Sequence, residues 1–149
     1  RAEGALTDRL RGGGLVAMLA GLVITVAVQS SSITTSLLVP LIGAGIIPIG
    51  PAFAATLGAN VGTCVTALLA ALAGTPAAVT VALVHLLFNL SGIAVFYPLP
   101  ALRRVPIRLA TALARRTARR RAFAVYYIVG VFFVMPLAFV MIDKLFFSH

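Results

Sequence analysis

The sequence predicts an all-α membrane protein with a re-entrant helical hairpin, a broken transmembrane helix and two or more full spans. Its hydrophobic fraction of 61% and mean hydropathy of +1.11 exceed the values typical of soluble domains. No Asp, Glu, Lys or Arg occurs from residue 12 to residue 102. Because one helical crossing needs about 20 apolar residues, this uncharged stretch is long enough for several crossings.

The first predicted element is the hairpin. Residues 12–28 are apolar and predict a helix that ends at the polar cluster Gln29-Ser30-Ser31-Ser32-Ile33-Thr34-Thr35-Ser36. Apolar character returns over residues 37–47, where Pro40 and nearby glycines and prolines interrupt the helical pattern. Proline lacks an N–H donor and glycine frees the backbone, so this stretch favours a re-entrant hairpin over a full span.

A second interruption predicts the broken helix. Residues 53–57 and 63–73 have the character of two helical pieces, and Gly58 and Gly62 flank Asn60 between them. Two glycines around an asparagine favour an unwound backbone. The same Gly-x-x-x-Gly spacing is equally typical of a close contact between two helices.

Two full spans follow. Pro76 suits the first turn of a helix, and residues 77–96 are long enough to cross a membrane. They end near Tyr97, a residue type that is common at the level of the lipid headgroups. Residues 123–142 predict the last span, in which Pro136 is expected to produce a kink.

A basic segment, residues 103–121, separates these spans. It holds eight of the twelve basic residues: Arg103, Arg104, Arg108, Arg115, Arg116, Arg119, Arg120 and Arg121. Short arginine-rich loops stay on the cytoplasmic side, so the segment predicts that orientation and contact with anionic lipid headgroups. Nucleic acid is not an expected partner, because no aromatic residue accompanies these arginines. Residues 106–121 fit either a short helix on the membrane surface or a flexible basic loop.

The polar cluster offers only hydroxyls, one carboxamide and backbone groups as ligands. A helix that is interrupted inside a membrane exposes N–H groups that attract anions and carbonyls that attract cations. Ser31, Ser32 and Thr34 are therefore candidate hydroxyl donors to an oxyanion, and Gln29 is a candidate oxygen ligand for a small cation. Helix packing is the alternative role for these hydroxyls.

Two further polar groups lie on predicted helix faces. Asn60, Thr63 and Thr66 share one face at three-residue spacing and, with nearby carbonyls, can replace the water around a cation. His85 and Asn89 share another face. For them, a polar pair that hydrogen-bonds across the helix bundle is the expected role.

The sequence does not predict an enzyme. No acidic residue lies between Asp8 and Asp143, and no His or Cys pair has the spacing of metal ligands. Cys64 has no second cysteine with which to form an internal disulfide and is expected to be buried.

Five motifs occur in a fixed order along the chain: Gln29-Ser30-Ser31-Ser32, Pro40-Leu41-Ile42-Gly43, Thr56-Leu57-Gly58-Ala59-Asn60-Val61-Gly62-Thr63, His85-x-x-Phe88-Asn89-x-Ser91-Gly92 and Tyr97-Pro98-Leu99-Pro100. Together they resemble the type II sodium-dependent phosphate cotransporters. The resemblance extends from about residue 10 through Pro106-Ile107-Arg108 and Phe123-Ala124-Val125-Tyr126-Tyr127.

That family has two inverted repeats, each with its own Gln-Ser-Ser-Ser hairpin, around a shared site. The resemblance implies that this chain is the second repeat, one half of an inverted-repeat transporter, and that the first repeat is its partner on the same or a separate chain. The chain is then expected to be a segment of a longer multi-pass protein of the plasma membrane or the bacterial inner membrane. The implied organisation is a linker from the first repeat (residues 1–11), a transport repeat (12–102), the basic cytoplasmic segment (103–121) and a final helix with its tail (122–149).

The function implied by the resemblance is sodium-coupled symport of inorganic phosphate, with sodium as the coupling ion and no cofactor. The implied substrate-binding residues are Gln29, Ser30, Ser31, Ser32 and Thr66. The implied sodium-binding residues are Gln29, Asn60, Thr63 and Thr66. Ala59 departs from the family pattern, since many relatives carry Ser there, and this removes a possible hydroxyl ligand.

Two other functions fit the same residues. Hydroxyls and helix ends recognise tetrahedral anions in general, so the substrate of a sodium-coupled transporter can also be sulfate or arsenate. A membrane regulatory subunit that keeps the fold without transport is the alternative of a different class.

The arginines of residues 103–121 generate a topological prediction. A cysteine placed at Thr117 should react only from the cytoplasmic side, because the surrounding positive charge holds this segment inside the cell. Labelling with an impermeant maleimide, in intact cells and after permeabilisation, measures this. Labelling in intact cells would contradict the predicted cytoplasmic orientation of this segment and the predicted outward direction of the final helix.

Overall fold

The computed structural model describes the backbone of residues 2–146 and the side chains of residues 13–144. The described residues form helices joined by short turns, with no β-strand among them, which confirms the all-α prediction. The chain forms two compact units, Arg1–Ile107 and Arg108–His149. In chain order the elements are α1 (Ala2–Val28), α2 (Ser31–Gly43), α3 (Ile49–Ala71), α4 (Pro76–Phe96), α5 (Pro100–Arg119), α6 (Arg121–Val129), a π-helical turn (Gly130–Val134) and α7 (Met135–Phe146).

Helix α1 is longer than the apolar run that predicted it. Its backbone continues through most of the predicted linker, residues 1–11, whose side chains lie outside the described residues. Its C-terminal end at Val28 agrees with the sequence prediction. The helix stops there because Gln29 adopts a left-handed backbone conformation, with φ of 57°.

Helix α2 does not break at Pro40, so this part of the sequence prediction is wrong. The helix runs through Pro40 to Gly43, because the missing N–H of one proline removes a single backbone hydrogen bond and leaves the neighbouring ones intact. Gly45, with φ of 71°, then ends it in a Schellman motif. In this motif the N–H of Ile46 donates to the carbonyl of Leu41 at 2.9 Å.

The core of the first unit is a close contact between α1 and α3. Small residues line it, since a side chain built on Gly21 would collide with the backbone of Ala55 and one built on Gly58 would collide with the backbone of Met18. A Cβ atom on Gly62 would lie 2.8 Å from the carbonyl oxygen of Leu22. Both helices therefore present backbone to one another, as small-x-x-x-small interfaces in membrane proteins do.

Helix α3 is continuous, and the predicted break between Gly58 and Gly62 is wrong. All residues from Ile49 to Ala71 are helical. The glycines allow the close contact between the helices and do not unwind the chain. The continuous helix keeps all its backbone hydrogen bonds, which are needed in an apolar environment because no water is there to replace them. Asn60, between the glycines, is exposed in the described unit.

Helix α4 agrees with its predicted bounds. Thr75 caps it, because its hydroxyl oxygen accepts from the N–H of Ala78 at 3.3 Å, and Pro76 occupies the first turn. It packs on α3. The amide of Asn89 donates to the Cys64 sulfur at 3.4 Å and to the His85 carbonyl at 3.0 Å. The expected cross-helix bond thus exists, but its partner is buried Cys64 and not the His85 ring.

The chain beyond α4 forms helices around its prolines. Helix α5 starts six residues before Pro106 and continues through it, so the helical interpretation of the basic segment is confirmed and the loop alternative is not. The last span is interrupted by the π-helical turn, in which the N–H of Met135 donates to the carbonyl of Gly130. Pro136 follows Met135 and has no N–H to donate to the preceding turn of the helix. The wider π-helical turn therefore lies at the point where this hydrogen bond is missing.

Three helical stretches within the described residues are long and apolar enough to cross a membrane: Ile49–Ala71, Pro76–Phe96 and Arg121–Lys144. The apolar part of α1 and the whole of α2 are shorter. These lengths support a multi-pass membrane protein. Within the first unit, α1 and α2 form a helical hairpin that packs on α3.

The glycine contact yields a stability prediction. Gly58→Ala should lower the free energy of unfolding by about 1–3 kcal/mol, because the added methyl meets the backbone of Met18. Gly92→Ala on α4 is the matched control, since nothing lies within 4 Å of a Cβ atom there. Thermal unfolding of the purified protein in detergent measures both, and equal unfolding temperatures for the two variants would contradict this contact.

Candidate functional site

Most of the predicted polar ligands lie at or directly after the hairpin turn, which is formed by Gln29 and Ser30 between α1 and α2. Gln29 holds the left-handed conformation that usually belongs to glycine and costs other residues about 1–2 kcal/mol. Its exposed side chain makes no hydrogen bond within the described residues. Strained backbone of this kind is often found at binding sites, where the surrounding fold holds it in place.

Ser30 connects the turn to α2 as its N-cap residue. Its hydroxyl oxygen accepts from the N–H of Ile33 at 3.3 Å, and its carbonyl accepts from the N–H of Thr34 at 3.2 Å. Ser30 is half-buried. It therefore shapes the first turn of α2 with groups that were predicted to line the substrate site.

The N-terminus of α2 presents unused hydrogen-bond donors. The backbone N–H groups and hydroxyls of Ser31 and Ser32 have no partner in the part of the chain that the structure describes. Four donors from two adjacent residues, at the positive end of a helix dipole, are an arrangement that attracts anions. Ser32 is exposed and Ser31 is half-buried, so an anion can reach them.

A pair of buried threonines stabilises the hairpin. Thr25 on α1 donates to the hydroxyl of Thr34 on α2 at 2.8 Å, and Thr34 donates to the carbonyl of Ser30 at 3.1 Å. Thr25 is 0% exposed and Thr34 is 3% exposed, so these hydrogen bonds are shielded from solvent. Thr34 is thus a structural group, and its predicted role as an oxyanion donor is wrong because its proton is already used.

Thr25 was missed by the sequence analysis. It is a single hydroxyl in an otherwise apolar run, which is the signal that could have found it, because a buried hydroxyl needs a partner. Gly62 makes room for it, since a Cβ atom there would lie 2.8 Å from the Cβ of Thr25. The helix contact and the hairpin therefore depend on the same small residue.

Beside the turn lies a cleft of about 440 Å³, called here the hairpin cleft, lined by Gln29, Thr63, Thr66, Ala67, Leu69 and Ala70. It brings together three predicted site residues that are distant in sequence, Gln29 from the turn between α1 and α2 and Thr63 and Thr66 from α3. Ser30, Ser31, Ser32 and Asn60 do not line it. Ala67, Leu69 and Ala70 were not predicted, because apolar lining residues carry no polar signal in the sequence.

The two cleft threonines present acceptor oxygens. Thr63 donates its hydroxyl proton to the carbonyl of Ala59 at 3.2 Å, and Thr66 donates to the carbonyl of Thr63 at 2.9 Å. With the protons engaged, the remaining lone pairs accept hydrogen bonds or bind a cation. Together with the carboxamide oxygen of Gln29, they give neutral oxygen ligands of the kind that hard cations prefer.

Ala59 and Asn60, which precede Thr63 on α3, do not line the hairpin cleft. Ala59 is fully buried, so its methyl group does not face the hairpin cleft. Asn60 is one turn before Thr63 and its side chain makes no hydrogen bond within the described residues. The structure therefore brings Thr63 and Thr66 to Gln29 and leaves Asn60 at the edge of this arrangement.

The surroundings of the cleft carry no charged side chain, since none occurs from residue 12 to residue 102. No group of three His, Cys, Asp or Glu that could hold a metal ion is found among the described side chains. What the region offers is a donor-rich helix end beside neutral oxygen acceptors.

Comparison with known proteins adds an independent observation. The sequence profile described as Na+/Pi-cotransporter matches residues 3–134. Sodium-dependent phosphate transport protein 2A of Rattus norvegicus is 49% identical over 127 residues, which cover 83% of this chain and 20% of that protein. Sodium-dependent phosphate transport protein 2B of Homo sapiens is 48% identical over 128 residues, which cover 83% and 18%. The chain thus spans about a fifth of the length of these curated relatives. No solved structure matches it.

Proposed function

Because this chain belongs to the Na+/Pi-cotransporter family, we propose that it supplies one of two repeats to a sodium-coupled symporter of inorganic phosphate. The observation that carries the proposal is the pairing, at one hairpin turn, of unused donors with neutral oxygen acceptors. Donors suit the anion and acceptors suit the cation. The relatives, named for sodium-dependent phosphate transport, support this assignment.

Phosphate is proposed to bind at the N-terminus of α2. Ser31 and Ser32 would donate hydroxyl and backbone N–H bonds to its oxygens, with the helix dipole adding attraction for negative charge. Ser30 holds this end in shape, and Thr66 is proposed to contact phosphate from the side of α3. No positive side chain is required, because the donors are fixed by the helix and need little reorganisation.

Sodium is proposed to bind in the hairpin cleft. The ligands are the carboxamide oxygen of Gln29 and the hydroxyl oxygens of Thr63 and Thr66, which line the cleft. Asn60, one helical turn away, is proposed to complete the coordination when the other repeat is present. Replacing water by several neutral oxygens is how membrane proteins bind dehydrated cations.

The absence of fixed charge gives a physical basis for coupling. A phosphate anion in a neutral site needs a nearby positive charge, and sodium in the cleft would provide it. Each ion then raises the affinity of the other by the same factor, since binding free energies are linked. Transport of phosphate would thus depend on the sodium gradient.

The arrangement of the helices fits a re-entrant hairpin. Along α1, Gly21 meets Ala55 and Thr25 meets Gly62, so α1 and α3 run in the same direction. The chain therefore leaves the hairpin at the end where it entered, and α3 starts again from that end. The first repeat, in the inverted orientation, would bring its own hairpin from the opposite side, so the two hairpin turns would enclose one site.

Uptake of radiolabelled phosphate by the full-length transporter tests the function itself. We expect uptake in sodium that is lost when choline replaces sodium. Excess unlabelled sulfate should not compete, whereas unlabelled phosphate should. Competition by sulfate would assign another oxyanion, and absence of uptake from a correctly inserted protein would favour the non-transporting regulatory subunit.

The donor pair is tested by Ser31→Ala and Ser32→Ala in the full-length protein. Each removes one hydroxyl donor, which costs about 1–3 kcal/mol in a site without water and so lowers phosphate uptake by about fivefold to more than a hundredfold. Ser36→Ala, an exposed serine further along the same helix, is the control and should transport normally. Surface expression must be equal for all three. Normal uptake by both hairpin variants would contradict phosphate binding at the N-terminus of α2.

The cation ligands are tested by Thr63→Val, which keeps the shape and removes the hydroxyl. Apparent sodium affinity should fall by about tenfold, while saturating sodium should restore phosphate affinity, as linkage requires. Thr80→Val is the matched control, because Thr80 also bonds to a backbone carbonyl, at 3.0 Å, but lies on the exposed side of α4. If Thr63→Val weakens phosphate binding at every sodium concentration, Thr63 belongs to the phosphate ligands instead.

A further inference from the structure

A second polar pocket lies in the first unit, at the end where α3 begins. It has a volume of about 160 Å³, and Gly14, Gly50, Tyr97, Arg103 and Arg104 are among the residues that line it. None of these residues takes part in the hairpin cleft. We call it the corner pocket, because the chain turns there from α4 into α5.

Tyr97, one of the residues that line the corner pocket, carries a buried hydroxyl with no hydrogen-bond partner in the described structure. The phenolic oxygen of Tyr97 is shielded from solvent and makes no hydrogen bond within the described residues. It fits against α1 only because residue 14 is glycine, since a Cβ atom there would collide with the hydroxyl. A buried hydroxyl without a partner costs free energy, so a bound group that accepts its proton would stabilise this part of the fold.

The other polar groups of the corner pocket are also donors. The guanidinium of Arg103 lies over the Tyr97 ring, 5.5 Å from its centroid, and Arg104 lines the pocket beside it. Gly50 brings the first turn of α3, whose N-terminus has no side-chain cap. Two guanidinium groups, a phenol and a helix N-terminus form a set that recognises oxyanions.

Nothing in the described residues neutralises this positive charge. Neither Arg103 nor Arg104 forms an ion pair with a carboxylate there, and both lie in the first turns of α5, the positive end of its dipole. Arginines are unfavourable at that end, where acidic groups are preferred. An anion held between α3 and α5 would relieve the repulsion.

We propose that the corner pocket binds one phosphoryl group, a second oxyanion site separate from the transport site. The group is carried by an anionic lipid headgroup or is free inorganic phosphate. The pocket volume suits a single tetrahedral oxyanion, with the Tyr97 hydroxyl and the two guanidinium groups as its donors. The site does not depend on the proposed transport function.

Two arms of one experiment distinguish the sources, using the intact transporter in nanodiscs. In the first, nanodiscs contain phosphatidylglycerol in phosphatidylcholine, and native mass spectrometry counts the anionic lipids retained. In the second, nanodiscs contain phosphatidylcholine alone, and inorganic phosphate is titrated in sodium-free choline buffer. This second arm uses a Ser31→Ala background, so that binding at the hairpin turn does not contribute.

The variants are Arg104→Gln and Tyr97→Phe, and Arg115→Gln is the control because it removes the same charge from an exposed position of α5. We expect binding in one arm at least, weakened about tenfold by Arg104→Gln and several-fold by Tyr97→Phe, but within about twofold of normal for Arg115→Gln. Binding in the lipid arm identifies a headgroup, and binding in the phosphate arm identifies the free ion.

Three results would overturn the proposal. One is the absence of binding in both arms. Another is an equal loss for Arg104→Gln and Arg115→Gln, which would indicate diffuse attraction by surface charge. The third is normal binding by Tyr97→Phe, which keeps the ring and its packing and therefore carries the test even if Arg104→Gln fails to fold.

Discussion

The close contact between α1 and α3 is the interaction on which the first unit depends. Membrane helices gain little from burying apolar surface against one another, so they associate where small residues let backbones meet. Gly21, Gly58 and Gly62 provide that meeting here. Helix α3 stays continuous because its glycines are used in this way, and the end of α1 is carried to the level of Thr63 and Thr66. The hairpin cleft exists because this contact fixes the distance between the two helices.

Backbone hydrogen bonds decide which hydroxyls can act as donors. Threonines on a helix return their protons to carbonyls of the preceding turn, as Thr63 and Thr66 do. Ser31 and Ser32 stand at the start of α2, and their hydroxyls donate to no group in the described structure. The same type of side chain is therefore an acceptor in the middle of one helix and a free donor at the start of another. This difference in position separates a region suited to cations from a region suited to anions.

The hairpin turn and the corner pocket, at opposite ends of the first unit, are proposed to compensate the negative charge of a bound anion by different means. At the hairpin turn, donors are neutral and the compensating charge is proposed to be a mobile sodium ion, so binding there can be reversible and coupled. In the corner pocket, Arg103 and Arg104 are fixed charges that need no second ion. A fixed positive charge suits a resident ligand such as a lipid headgroup, whereas a neutral site suits a substrate that must leave again.

Composition and pattern alone determined the membrane class, the helical spans and the end of α1 at the polar cluster, because these depend on local polarity and spacing. They also selected Gln29, Ser31, Ser32, Thr63 and Thr66 as candidate ligands, and that assignment stays a prediction. The tertiary structure decided what local pattern left open. Gly58 and Gly62 fit an unwound segment and a helix contact equally well in sequence, and only the presence of α1 against them selects the contact. Thr34 resembles its serine neighbours in sequence, but in the fold its hydroxyl oxygen accepts from Thr25, nine residues away, and its proton goes to the carbonyl of Ser30. Such choices depend on which partner lies opposite, and that information exists only once the chain is folded.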